Sequence, residues 1–283
     1  MKTYLSLIAI DLKLAGRQRT VIFFNYLFPL IFFFIFTNVF PVARNPNMMI
    51  YVLTMSLTIG ILGNGLFGAG IRALQERELN ILRRYKVTPI TPTPLLVASM
   101  VTGWFIYLPY VILVISLAHF IYHMPWPAQF PSLLVFVSIG LIAFRAIGMV
   151  IASVANTMQE GTILVQLCYF PMLFLSGATV PLFSPVLQII SNFIPATYLV
   201  AGMQGIMLNS ENLLTDWIWV VALIVTAAVG LTVGSKLFRW EKEEKIRGSA
   251  KLWVLVALVP FVLLGIWHYY IHHNVFRMDI FGR

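Results

Sequence analysis

Seven long apolar stretches dominate this chain, and the gaps on one side of them hold almost all of its basic residues. Spans are expected at 21–40, 50–71, 95–121, 132–155, 162–182, 217–236 and 252–272, each near the roughly 20 residues a helix needs to cross a hydrocarbon layer. Hydrophobic residues make up 60% of the 283 and charged residues only 10%, whereas about a quarter of an ordinary water-soluble domain is charged. The chain must therefore use lipid as its solvent. Because the apolar runs are continuous rather than alternating, helices are expected and a barrel is not.

Lys and Arg set the orientation. Lys2, Lys13, Arg17 and Arg19 precede the first span, a second group runs from Arg72 to Lys86, and a third from Lys236 to Lys251. These alternate gaps contain fifteen of the nineteen basic residues, which predicts a cytoplasmic amino terminus and, with seven spans, an external carboxyl terminus. The net charge of +9 thus belongs beside anionic lipid head groups and not on nucleic acid. Residues 2–19 mix Leu and Ile with Lys, Asp and Arg, and Tyr4, Ile8 and Leu12 share one helical face. This stretch reads as a helix lying along the inner leaflet, not as a cleaved leader. The single cysteine, Cys168, allows no intrachain disulfide.

Motive chemistry is hard to find in the sequence. The dipeptide Gly-Lys never occurs, so a phosphate-binding loop of the Walker type is excluded. None of the ten acidic residues falls centrally in a predicted span, whereas ion-coupled carriers bind their ions through intramembrane ionisable groups. Arg145 is the one charge well inside a span; placing it there costs about 2.5–3.5 kcal/mol on insertion scales. It reads either as a pathway residue that attracts an anion or as a structural partner of a carbonyl or acid. Span two carries Gly60, Gly63, Gly65, Gly68 and Gly70, which favours close helix packing, and Asn64 among them needs a partner. His119 and His123, and His268 and His272 with His273, have i, i+4 spacing, but no third ligand type accompanies them and no metal site is expected. Energy is therefore expected from a partner protein. An ion-coupled carrier and an intramembrane lipid-modifying enzyme using His and Arg145 remain alternatives.

Two segments stand out. After span two, Leu74, Glu78, Ile81, Leu82 and Tyr85 fit a short helix that Thr88-Pro89 stops; it reads as a docking helix or as a solvated connector. From Phe170 to Ile206, Pro171, Ser176, Gly177, Pro181, Pro185 and Pro195 interrupt an apolar stretch. Irregular backbone at membrane depth needs protein or a cavity around it, so a broken, partly re-entrant hairpin on the outer side is expected.

Four places together resemble the membrane subunit of ABC-2 type transporters. They are the amphipathic amino-terminal segment, the stretch from Glu76-Arg77-Glu78 to Val87-Thr88-Pro89, the run AIGMVIASVANTMQE from Ala146, and FPMLFLSGATVPL from Phe170 followed by Ile194-Pro195-Ala196-Thr197-Tyr198. The resemblance covers residues 1–240. It implies a six-helix transmembrane bundle that pairs with a second copy or a homologous permease, powered by separate cytoplasmic ATPases that bind the ATP and Mg; no cofactor is expected in this chain. It implies contact with those ATPases through the amino-terminal helix and residues 75–89, with Glu76, Arg77, Glu78, Arg83 and Arg84 as docking residues. It also implies that the external hairpin lies near the exit of the pathway, in a multi-pass protein of a prokaryotic plasma or inner membrane; Arg145, Asn64, Ser176 and Gly177 are the pathway candidates. The chain departs from the family pattern in residues 241–283, a basic segment followed by an extra apolar helix. It also departs at Met203-Gln204, where relatives often carry Arg.

Overall fold

The computed structural model describes residues 2–42, 45–82, 92–180, 182, 184–213, 215, 217–241, 244 and 252–271. All regular structure among them is helical. Helix α1 (Lys2–Ala15) is followed by α2, built from an α turn Arg19–Ile22, a π-wound segment Phe23–Leu27 and an α stretch Phe28–Val39. Helix α3 runs unbroken over Asn47–Glu78, with a π-wound segment Gly63–Ile71 in its length. Then come α4 (Pro92–Tyr122), α5 (Phe130–Val154), α6 (Met158–Leu175), the short α7 (Pro185–Ser191), α8 (Pro195–Leu208), α9 (Trp217–Lys236) and α10 (Leu252–Ile271).

Helices α3, α4, α5 and α9 are long and apolar enough to cross a membrane, and α7 with α8 forms a bent pair, broken by 100°, that would count as a fifth span. The sequence predicts seven spans, with a broken hairpin after the fifth. The region 21–40 carries a 17-residue apolar helix, Phe23–Val39, about 25 Å long at ~1.5 Å per residue and so shorter than the hydrocarbon layer. The region 162–182 gives α6, which starts earlier and ends at Leu175, because Ser176 and Gly177 turn the chain and Gly177 has a φ of 75°. That left-handed conformation is one glycine adopts without penalty. The expected broken hairpin thus begins with this turn and continues through α7 and α8.

Both π-wound segments have local causes. Pro29 has no N–H to offer the carbonyl of Asn25, and the backbone N–H of Phe28 reaches back to Phe23 O instead. In α3 the wide winding falls on Gly63, Gly65, Gly68 and Gly70, residues of low helix propensity that tolerate it. Helix α3 is the axis of the bundle, buried on nearly every side from Tyr51 to Leu66. Lipid tails are as apolar as leucine, so helices must be held by close packing and polar contacts. Glycines provide the first: a Cβ on Gly148 of α5 would run into the carbonyl of Gly65, and one on Gly230 of α9 would meet Ala146 at 2.7 Å. Tyrosines provide the second. Tyr107 of α4 donates to Leu57 O at 2.8 Å, and the Tyr110 hydroxyl meets Ser56 Oγ at 2.5 Å.

Helix α1 lies against α4 with Leu7 and Ala15 buried and Ile10, Leu12 and Leu14 facing outward. Its outward apolar face agrees with a helix that lies along a leaflet. The extra helix α10 packs on α9 and reaches the bent pair, since a Cβ on Gly265 would strike the ring of Phe193. The boundary drawn at residue 240 therefore separates sequence regions that touch in the fold.

Candidate functional site

Arg145 lies nine residues before the end of α5, about 14 Å in from that end at ~1.5 Å per residue. Its side chain is 3% exposed. Nη1 donates to Asn64 Oδ1 at 2.6 Å and to Asn64 O at 3.3 Å, and Nη2 donates to Ser99 Oγ at 2.8 Å. Asn64 Nδ2 in turn donates to Asn25 Oδ1 and to Gly103 O, and Asn25 Nδ2 donates to Val21 O at 2.7 Å. The two asparagines stand in the two π-wound segments. The network therefore joins α2, α3, α4 and α5 at the places where two of them depart from regular winding. Gly103 makes the space: a Cβ there would collide with the Arg145 guanidinium. No carboxylate bonds Arg145 among the described residues, and its Nε has no partner there. Arg145 thus bonds a helix carbonyl and a side-chain amide, and Asn64 belongs to the same site.

At the end of the bundle that carries Arg72, Arg77 and Arg239, a second network holds the turn between α5 and α6. Arg77 is 3% exposed and donates to Ala152 O at 3.0 Å and to Ala155 O. Arg239, just past α9, donates to the same Ala155 carbonyl and to Asn156 Oδ1 at 3.0 Å. Two cations thus cap the negative end of α5, where the last carbonyls have no helical partner. Burial lowers the Arg239 pKa from its ordinary value, opposed by the charges of Glu160 and Glu244; a guanidinium stays charged regardless. Glu78 accepts the Met158 N–H at 2.7 Å, and Thr157 Oγ1 accepts the Glu160 N–H at 3.1 Å, so both side chains cap the start of α6. Glu160 reaches back to the Asn156 N–H at 2.8 Å. Arg72 pairs with Asp11 of α1 and with Glu76.

Arg77 and Glu78 thus bond this chain's own helix ends and Glu76 pairs with Arg72, while Gln75, Leu79 and Asn80 are the exposed residues beside them. Arg83, Arg84 and residues 87–89 lie outside the described residues, as do His272 and His273.

The hairpin candidates form a turn. Ser176 is fully buried, its Oγ accepting the Ala178 N–H at 3.3 Å, while Thr179 Oγ1 donates to Leu173 O at 3.0 Å. Further on, Thr197 Oγ1 donates to Ser191 O at 2.7 Å and Tyr198 OH to Asn192 O at 2.5 Å. The Thr-Tyr pair after Pro195 is thus what fastens the bend between α7 and α8. Ser176 and Gly177 are not joined to Arg145 by any bond among the described residues. Of the described histidines, His119 Nδ1 is 2.8 Å from Met124 O and the His268 ring stacks on Trp219 at 5.0 Å, while His123 is exposed. No cluster of three metal-ligating side chains occurs among the described residues.

Sequence reasoning missed Asp11, Asn25, Glu160 and Arg239. Two of these left a readable mark: Asn25 interrupts an apolar run, and Thr157-x-x-Glu160 is a capping-box spacing. Asp11 and Arg239 left none, because their partners are distant in the chain.

Apolar helices packed through glycine contacts around a buried polar network define a polytopic membrane protein of the helical-bundle class. Residues 3–208 match the family described as ABC-2 type transporter. The chain belongs to that family. It is 25% identical over 212 residues to an inner membrane transport permease, YhhJ, of Escherichia coli (strain K12), and equally to its counterpart in Shigella flexneri. The match covers 72% of this chain and 51% of each relative, so the chain spans about half the length of the curated relatives it matches. No solved structure matches it.

Proposed function

We propose that this chain is the membrane-spanning subunit of an ATP-driven exporter in a prokaryotic inner membrane. It works as a pair with separately encoded cytoplasmic ATPases and moves an amphipathic, drug-like or lipid-linked substrate. The observation that carries this reading is the clamp around Ala155. Through it the end of α3, the α5–α6 turn and the end of α9 are bonded to one another, and Arg72 adds α1 through Asp11. A push on the exposed Gln75–Leu79 surface would therefore move four elements together. Glu76, Arg77 and Glu78 serve coupling from behind that surface, with Arg83 and Arg84 following them in sequence. Above the clamp, the Arg145 network is held by hydrogen bonds, two of them 3.3 Å long, which a rearrangement of α3 against α5 can exchange.

The test is co-expression with a cytoplasmic ATPase of the ABC type from the same organism, followed by reconstitution into vesicles. ATP hydrolysis that rises in the presence of the chain, together with ATP-dependent movement of a lipophilic dye, is the expected result. Accumulation driven by an ion gradient with no ATPase present would instead favour a carrier, and chemical change of a lipid by the chain alone would favour an enzyme; either overturns the reading.

A further inference from the structure

A cavity of about 210 Å³ lies between α1 and the adjoining ends of α3 and α4. Its walls are apolar, with Leu7, Ile10 and Leu14 from α1 and Leu95 and Leu96 from α4. Its polar lining has both signs of charge: Arg72, Asp11 and Glu76, with the hydroxyl of Ser99 and the amide of Gln18. Arg72 bridges the two carboxylates, yet their side chains remain 20% and 29% exposed, so their oxygens are not saturated. An ionised carboxylate offers about four acceptor sites, and one guanidinium fills only some of them. Behind Ser99 stands Arg145, whose positive charge balances the second carboxylate. The rim differs from the floor: Ile10 and Leu14 are about half exposed and apolar.

We propose that this cavity binds the head group of one phospholipid carrying a primary ammonium and a phosphate, phosphatidylethanolamine being the form that fits. The ammonium donates to Asp11 and Glu76, and the phosphate accepts from Arg72, Ser99 and Gln18. The charges around the cavity sum to zero when Arg145 is counted, which suits a zwitterion better than an anionic or a cationic lipid. A primary ammonium has N–H groups for the carboxylates, whereas a choline head group has none. The volume is below the ~300–1,000 Å³ of a site that encloses a whole drug-sized ligand, so the head enters and the tails stay in lipid beside Ile10 and Leu14. The bound lipid wedges α1 against the bundle at its ion pair with α3. The site concerns binding to the isolated chain and stands apart from any ATPase.

Native mass spectrometry on the purified full chain tests it. Micelles are supplied in turn with phosphatidylethanolamine, phosphatidylcholine, phosphatidylglycerol and a dialkyl trimethylammonium lipid. One phosphatidylethanolamine per chain should survive activation at least tenfold better than any of the others. Ala73→Phe, which adds a ring to a residue lining the cavity, and Arg72→Gln should each abolish that preference. Leu263→Phe on the exposed face of α10 should leave it intact. Preferential retention of another of the lipids, or a preference unchanged in Ala73→Phe, overturns the proposal. So does equal retention of all four by the unaltered chain.

Discussion

The Arg145–Asn64 pair can be weighed by a double-mutant cycle. Asn64→Ala removes the 2.6 Å acceptor of the guanidinium and both donor bonds to Asn25 and Gly103. What remains on Arg145 is Ser99 Oγ and the 3.3 Å contact to Asn64 O. A hydrogen bond to a charged group contributes about 1.5–3 kcal/mol, and neutral interhelical bonds in membranes average about 0.6 kcal/mol. The single variant should therefore cost about 3 kcal/mol, near the lower end of the ~3–5 kcal/mol found when a buried charge loses its partner. Arg145→Met removes the charge itself and should cost about 1–2 kcal/mol, mostly for the acceptor left unsatisfied on Asn64. With both changes no buried charge remains to be stranded. The double variant should then cost about 2 kcal/mol less than the sum of the singles, a coupling well above the few tenths expected of independent sites. Equilibrium unfolding in mixed micelles, followed by tryptophan fluorescence, measures all four corners of the cycle. Additive costs would show that the network does not stabilise Arg145 and would refute the assignment of its structural role.

Other expectations follow from the same contacts. Gly148→Ala should lower the melting temperature by several degrees because its methyl group meets the Gly65 carbonyl, whereas Gly234→Ala, with nothing closer than 3.7 Å, should change it little. Arg77→Ala should cost about 2 kcal/mol, with Arg239 still holding Ala155 O but nothing holding Ala152 O; in the complex it should also lower ATPase stimulation, measured in vesicles. Tyr198→Phe loses one bond to Asn192 O, about 1 kcal/mol, and should raise hydrogen exchange at residues 184–194 more than elsewhere.

Much of this architecture was legible in the residue order. The apolar runs marked α3, α4, α5 and α9, the prolines and Gly177 marked the broken region, and Asn64 among glycines announced a helix that must pack closely and find a polar partner. Legibility failed where two signals shared one stretch. Residues 162–182 are apolar enough to read as a span, but Ser176 and Gly177 end the helix at Leu175, and only a backbone with φ of 75° reveals it. The charged run from Arg72 to Glu78 read as a docking helix or a solvated connector because charges usually face water; here Arg77 and Glu78 bond the chain's own helix ends, and Arg72 bonds Asp11 and Glu76.

The amino-acid order alone determined that the solvent is lipid, that the backbone must be helical, and which end of the bundle carries the positive charge. These follow from local quantities, namely the length of apolar runs and the placement of Lys and Arg. The three-dimensional arrangement alone decided that Arg145 rests on Asn64 and Ser99, that Arg77 and Arg239 share one carbonyl, and that Asp11 meets Arg72. Each of the last two pairings joins residues far apart in the chain, and a buried cation is satisfied by whichever oxygens packing brings within about 3 Å, a choice no run of neighbouring residues encodes.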